Sequence, residues 1–390
     1  MQTYVDERKF PGASLLITQG GQEVFHHATG LRDIARDLPF QRDTLARIYS
    51  MTKPITSVAM MMLVERGLVH LGAPISDFLP AFSDMRALIP GASLIDQTEP
   101  CATPTVHQLM THTAGFTYSF NPGVLPQAMG DVDPMFNPCT HLLSDACDRL
   151  AAFPLAFQPG TRWEYSVGID VLGRIIEVVT GKTLDQVFGD EIFAPLGMAE
   201  TGFTPPNGTG DRFAALYTPL AGDAMALNAA KDSIETLRMV DEAGSSPFET
   251  STLYSGGGGL VGTIDDYMRF VEMLRRGGDC DHGRLLSRST VDFMRLNHLP
   301  GDIASMGPTS FSEQPMHGIG FGLGGSVVIN PARTGAPGNV GDFSWGGMAS
   351  TAFWLDPVLD MNVVFFTQLS PSSSYPARAQ LKALIHGAMT

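Results

Sequence analysis

A serine and a lysine three residues apart, in Ser50-Met51-Thr52-Lys53, are the residues of this chain best placed to do chemistry. A serine hydroxyl becomes a useful nucleophile only when a base takes its proton. A lysine does that only where its charge is disfavoured, and burial and the positive end of a helix both disfavour it. By itself the motif is weak, because chance supplies such a pair in roughly one chain in three of this composition. Its setting is stronger. A strand-like segment, 46–49, ends at Ser50, and the most apolar helix of the chain, 54–67, begins just after it. The spacing puts both side chains on one helix face. A helix start also directs free N–H groups at an anion near Ser50.

Two further elements supply partners. Tyr165 lies in Pro159-Gly160-Thr161-Arg162-Trp163-Glu164-Tyr165-Ser166, just before a helix that starts near Val167. A tyrosine beside a lysine can relay a proton between nucleophile and leaving group. A packed aromatic with one hydrogen bond fits the residue equally well, and Ser166 also reads as a helix N-cap. Trp345-Gly346-Gly347-Met348 ends a strand-like run. Its glycines permit close approach to the backbone, and a free N–H there, with that of Ser50, makes an oxyanion hole. A β-bulge or tight bend is the alternative.

Other candidates carry less. His112 is a possible triad base, but no Gly-x-Ser-x-Gly elbow accompanies it, so a structural histidine is the better reading. The Gly256–Gly259 run lacks the phosphate-loop lysine and the dinucleotide spacing, which leaves a flexible backbone near a cleft. His26 and His27 share a strand, so they point to opposite faces and cannot chelate one metal. Asp241-Glu242 and Asp265-Asp266 read as caps or solvated faces. No metal or cofactor is expected.

Both ends of the chain build the frame for these residues. Residues 1–9 read as a short helix. A hairpin follows, with strands 13–18 and 22–29 around Gln19-Gly20-Gly21. Strands recur at 325–329, 341–345, 350–355 and 362–368, and an amphipathic helix closes the chain over 375–386. Between them strand signals thin out. Helical stretches at 106–110, 144–152, 167–180 and 184–193 alternate with long loops at 83–103, 117–138 and 204–227. The expected class is therefore α/β (α+β): an antiparallel sheet flanked by helices, from residues 1–72 and 241–390, with an all-helical insertion over 73–240 that carries lid-like loops.

The chain has 390 residues and a net charge of −15, which argues against nucleic-acid or anionic-membrane partners. No apolar run reaches membrane-spanning length. The start shows no signal-peptide pattern, so a cytoplasmic protein is the expectation. The four cysteines, Cys101, Cys139, Cys147 and Cys280, match no zinc spacing and are expected as thiols.

These motifs, in this order, resemble the serine β-lactamase and penicillin-binding-protein superfamily, specifically the family VIII carboxylesterases related to class C β-lactamases. The resemblance runs nearly end to end. Besides the elements above it rests on Leu109-Met110-Thr111-His112-Thr113-Ala114-Gly115-Phe116 and Asp170-Val171-Leu172-Gly173. It also rests on Pro195-Leu196-Gly197-Met198 and Ser255-Gly256-Gly257-Gly258-Gly259-Leu260. It implies Ser50 as acyl-enzyme nucleophile, Lys53 as its proton acceptor and Tyr165 as their acid/base partner. It implies oxyanion donors at the N–H groups of Ser50 and Met348, and a site in the cleft between an α/β domain and a helical one. Two departures matter. Val167 stands where the lactamases have the asparagine of Tyr-x-Asn, and Trp345 where they have the lysine of Lys-Thr-Gly. The lost lysine pairs with a substrate carboxylate, so tryptophan favours an uncharged, apolar group.

The expected activity is therefore a carboxylesterase acting on short-chain, small-molecule esters. A β-lactam or peptide amidase and an acyltransferase are the alternatives, and a non-enzymatic sensor or scaffold is the least favoured. Pocket walls are expected from Tyr118, Phe120 and Phe343. Oligomeric state is left open.

Overall fold

The structure, a computed structural model, describes residues 1–130, 136–219 and 236–389. Parts of two expected loops, 131–135 and 220–227, lie outside the described residues.

The frame is an eight-stranded antiparallel sheet. Its strands run in the order Ile319–Phe321, Ser326–Val328, Phe343–Gly346, Ala352–Asp356, Met361–Thr367, Gly12–Gln19, Gln22–Asp33 and Leu38–Pro39. The two chain ends meet in mid-sheet, where Ala13 pairs with Thr367 and Leu16 with Val364. The first hairpin turns on Gly20 and Gly21, whose φ values of 58° and 77° suit a two-residue turn that an L side chain resists.

Met361–Thr367 is buried along its whole length because both faces of the sheet are covered. Val363 and Phe365 pack with Phe10, Tyr375, Leu381 and Ile385 of the chain termini. Val364 and Phe366 face the larger core, which includes the Ile264–Arg275 helix and the Thr52–Glu65 helix. Every residue from Thr52 to Leu63 of that second helix is buried, and Gly67 follows it with φ 70°. An all-round apolar sequence is what a helix in this position requires.

The stretch 73–240 is mainly helical but not all-helical. Helices Val106–Met110, Leu143–Ala151, Gly168–Thr180 and Leu184–Phe188 are accompanied by two small antiparallel strand pairs. One pairs Arg86–Leu88 with Thr98–Pro100, and the other pairs Leu216–Pro219 with Leu237–Asp241. The second is anchored from outside itself: Tyr217 bridges Leu369, and the Ala215 N–H donates to Arg32 O at 2.9 Å. Runs this short gain their stability from such tertiary neighbours, so local pattern does not announce them.

The last helix spans Ala377–Ala388 rather than starting at Tyr375. Tyr375 precedes Pro376 and is held extended, at φ −146° and ψ 150°, as a residue before proline tends to be.

Candidate active site

The segment before Ser50 is pinned from several sides. Ala46–Arg47 pairs with Val261–Gly262, and the Gln368 side chain exchanges hydrogen bonds of 3.1 Å with the Arg47 N–H and carbonyl. The Arg47 guanidinium is fully buried against the Phe213 ring, 4.1 Å away. It donates to Asp241 at 2.8 Å, Ala214 O at 2.6 Å and Ser246 at 3.0 Å. A buried cation needs such full pairing. Next, Tyr49 takes a left-handed φ of 44°, which turns the chain sharply into the 3-10 turn Tyr49–Met51 and the Thr52–Glu65 helix. Ser50 sits in that turn. The first bond of the turn is Met51 N–H to Ile48 O, at 3.1 Å, so the Ser50 N–H comes before the first donor that finds an acceptor.

Lys53 is buried completely. Its Nζ lies 3.2 Å from Ser50 Oγ, 2.6 Å from Gly257 O and 2.9 Å from Tyr118 Oη. An ammonium has three N–H groups, and here each meets an acceptor. A neutral amine in the same place keeps two donors for Gly257 and Tyr118 and turns its lone pair to the Ser50 hydroxyl. The site thus accommodates both protonation states without moving a heavy atom.

Gly257 is set by Asp170, a buried acid in the first turn of the Gly168–Thr180 helix. Its Oδ1 accepts from the Ser255 hydroxyl and from the Gly257 N–H, the latter at 2.9 Å. Burial pushes the Asp170 carboxyl up, against the pull of Lys53 and these donors. A Cβ on Gly257 would come within 2.3 Å of Asp170 Oδ2, so only glycine fits. Asp170→Ala is expected to cost about 2–4 kcal/mol in urea unfolding, because two buried donors lose their acceptor. It should also lower kcat/KM for p-nitrophenyl butyrate about 10-fold by releasing the carbonyl that holds Lys53.

Tyr165 stands beside Lys53, but through its ring: the Nζ lies 4.6 Å from the ring centroid. Its buried hydroxyl has no hydrogen-bond partner among the described residues. The ring is the hub of an aromatic wall, with centroids at 5.1 Å from Tyr118, 4.8 Å from Phe311 and 5.4 Å from Trp345.

Trp345 is in the Phe343–Gly346 strand and stacks on Phe311 at 5.9 Å. The glycines after it serve the protein's own packing. A Cβ on Gly347 would lie 2.3 Å from Ile48 O, and one on Gly346 2.5 Å from the Arg378 guanidinium. This contact lays the strand end against the backbone that leads into Ser50. The Met348 N–H donates to no backbone carbonyl among the described residues, and Met348 is on the wall of the same cavity as Ser50. Arg378 also reaches that wall, but its guanidinium is engaged by the buried Glu313 carboxylate through two hydrogen bonds.

The cavity has a volume of about 540 Å³; Ser50, Tyr118, Phe120, Tyr165, Trp345 and Met348 are on its wall. Phe343, expected there as well, is not. It is 2 % exposed and packs in the core against Phe353 and over Gly325. Gly325 leaves room for the Phe343 ring, whose Cζ a Cβ there would meet at 2.6 Å. His112 is buried, and its Nδ1 is 3.1 Å from Ser166 Oγ. Burial, then the nearby Lys53 charge, hold it well below the usual histidine range, which leaves a neutral structural ring. Ser166 also accepts weakly from the Gly168 N–H at 3.4 Å, while Val167 takes the N-cap position and lines the cavity.

Three features escaped the sequence reading as parts of the site: the Asp170 clamp, the Gly257 carbonyl and the Tyr118 hydroxyl on Lys53. A lone acid on an otherwise apolar helix turn is a signal for the first. Nothing local marks the other two. Among the described residues no group of three or more His, Cys, Asp or Glu is arranged to hold a metal, and no helix is long and apolar enough to cross a membrane. The four cysteines are free.

Comparison with known proteins agrees on one family. The beta-lactamase family model matches residues 1–387. Protein Rv1367c of Mycobacterium tuberculosis is 34 % identical over 94 % of this chain and 88 % of its own length. Esterase EstB of Burkholderia gladioli is 31 % identical, over 93 % and 86 %. Among solved structures, that of EstCE1, a hydrolase with promiscuous acyltransferase activity, superposes with a TM-score of 0.78. It is 28 % identical and covers 98 % of this chain and 94 % of its own.

Proposed function

The chain belongs to the beta-lactamase family and is a hydrolase with that family's fold; from that premise we propose that it cleaves small carboxylic esters through an acyl-enzyme on Ser50. The observation that carries this reading is the buried Lys53 amine 3.2 Å from the Ser50 hydroxyl at the wall of an aromatic cavity.

In the proposed reaction Lys53 takes the Ser50 proton as Oγ attacks the ester carbonyl. The N–H groups of Ser50 and Met348 receive the developing oxyanion. Tyr165, whose ring centroid lies 4.6 Å from the Lys53 Nζ and whose hydroxyl has no partner among the described residues, is the second proton-transfer partner: it takes the lysine proton and passes it to the departing alcohol. Collapse of the tetrahedral centre releases the alcohol, and water then hydrolyses the Ser50 ester with Lys53 as base again.

Ester is favoured over β-lactam by what the wall lacks. Trp345 stands at the lysine position of the lactamases, and Arg378 is neutralised by Glu313, so among the described residues of the wall a substrate carboxylate finds no free cation. A panel of p-nitrophenyl esters of rising acyl length, run beside nitrocefin, tests the reading. Ester kcat/KM should exceed that for nitrocefin by about 100-fold or more, the equivalent of one lost buried ion pair. Nitrocefin turnover equal to that of the best ester would overturn the preference.

A second reading, acyl transfer to an alcohol, draws support from the similarity to EstCE1 and from the mostly apolar cavity wall, which favours an organic acceptor over water. It uses the same acyl-enzyme and differs only in the deacylating nucleophile.

A further inference from the structure

We infer that Glu313 is a specificity-determining residue: by neutralising Arg378 behind the cavity wall, it makes the site reject esters that carry a carboxylate. The inference rests on the acyl-enzyme reading above and names the class of ester the site takes and the residue that sets it.

Glu313 reaches the site from a turn. Strands Ser310–Phe311 and Gln314–Pro315 form a small hairpin whose two-residue turn is Ser312-Glu313. Ser312 makes that turn with a left-handed φ of 55°. An acid at a hairpin tip is ordinarily solvated. Here the tip lies against the Ala377–Ala388 helix, and the Glu313 side chain is 2 % exposed. Its Oε1 accepts from Arg378 Nε. Its Oε2 accepts from Arg378 Nη2 at 2.8 Å and from Ser312 Oγ at 2.6 Å. A carboxylate is buried at such a place only when a cation meets it.

Arg378 is held on one edge. Nε and Nη2 take the two carboxylate oxygens, while Nη1 finds no acceptor among the described residues. Nη1 lies instead against Gly346, where a Cβ would come within 2.5 Å of it, and both Gly346 and Arg378 are on the cavity wall. Arg378 is also the one lysine or arginine among the described wall residues. What Glu313 does to it therefore decides whether the wall offers a cation at all.

Without Glu313 this edge would be an open guanidinium beside Trp345, a ready partner for a carboxylate. With Glu313 the pair carries no net charge, yet the Nη1 N–H groups stay free. A neutral oxygen of the substrate gains a hydrogen bond there. A carboxylate gains the same bond, but it sheds its water among the Tyr165, Phe311 and Trp345 rings and feels the Glu313 charge behind the guanidinium. Selectivity thus comes from an acid that is not itself on the wall.

Two matched pairs of esters read this directly. p-Nitrophenyl hydrogen adipate and its methyl ester differ in one charge on the acyl side. 4-(Butyryloxy)benzoate and its methyl ester differ in one charge on the alcohol side. Wild-type kcat/KM should be at least about 10-fold lower for the acid than for its methyl ester in one pair or both. Glu313→Gln should leave the methyl esters within about 3-fold of wild type and raise kcat/KM for the disfavoured acid about 10-fold. Glu313→Ala, which removes the charge with no new amide to seat, should shift the ratio in the same direction. The double variant Glu313→Gln/Arg378→Met should lose the gain, because the uncovered cation is gone. Labelling of Ser50 by a p-nitrophenyl phosphonate shows that each variant keeps its site. Three results would each overturn the assignment and leave the Ser50 reading standing: equal wild-type rates on acid and methyl ester in both pairs, no gain in a Glu313 variant that still labels, or a gain that survives the loss of Arg378. Failure of the phosphonate to label Ser50 in the wild-type protein would instead bring down the acyl-enzyme reading, whatever the ester ratios.

Discussion

Ser50→Ala is expected to abolish ester hydrolysis, lowering kcat/KM for p-nitrophenyl butyrate by at least about 10⁴-fold. Other hydroxyls on the cavity wall do not replace it. Ser255 is committed to Asp170, and Ser326 donates to Ser344 O at 2.9 Å. Neither has an amine beside it, and activation by an adjacent base is what makes a serine a nucleophile. The substitution removes one oxygen at a partly exposed position in a turn that other bonds hold, so the fold should persist and unfolding in urea should be nearly unchanged. Initial rates and labelling by a p-nitrophenyl phosphonate check the expectation together. Retention of more than about a tenth of wild-type activity, or label on another serine in the variant, would be fatal to the acyl-enzyme proposal.

Lys53→Met should cost a similar factor, about 10⁴-fold in kcat/KM, and for a reason that can be separated from misfolding. Methionine nearly fills the space of the lysine stem but carries no amine. Ser50 then has no base, and the Gly257 carbonyl loses a donor at 2.6 Å. The unpaired carbonyl costs about 1–3 kcal/mol. Relief from burying a polar amine offsets part of this, so the net change in unfolding free energy should stay within about 2 kcal/mol. Activity is thus lost far more steeply than stability. The rate of phosphonate labelling at Ser50 should fall by a comparable factor, since the base acts on the nucleophile itself. His112 offers a sharp contrast. If that histidine were the base, Lys53→Met would label at the wild-type rate. The geometry opposes it, because His112 Nδ1 is occupied by Ser166 and its Nε2 has no partner among the described residues.

The likeness to esterases and the departures from the lactamase pattern point the same way. Esterase EstB aligns along nearly the whole chain. The two positions where this sequence leaves the lactamase motif, Val167 and Trp345, both lie on the cavity wall. Both departures alter the wall and leave the Ser50–Lys53 pair intact.

Much of this architecture is legible in the chain itself, because local rules govern it. Gly20 and Gly21 demand a tight turn, and the hairpin around them follows. The all-round apolar run after Lys53 demands a central helix, and the strands near the C-terminus alternate with turn residues. Ser50 and Lys53 meet because a helical turn brings residues three apart together. Tertiary structure decided everything that depends on chain segments far apart. Lys53 meets Tyr118 across 65 residues and Gly257 across 204, and Asp170 holds the Gly257 N–H across 87. No periodicity encodes such distances, since they arise only when the sheet and the helices close on one core. The same closure buried Phe343 while leaving Trp345, two residues along the same face, on the cavity wall. It also set the ring of Tyr165, and not its hydroxyl, against the lysine. The sequence by itself marked Ser50 and Lys53 as a pair and determined the frame that carries them. Only the folded chain decided which phenol the lysine touches, because that depends on packing between elements and not on spacing within one.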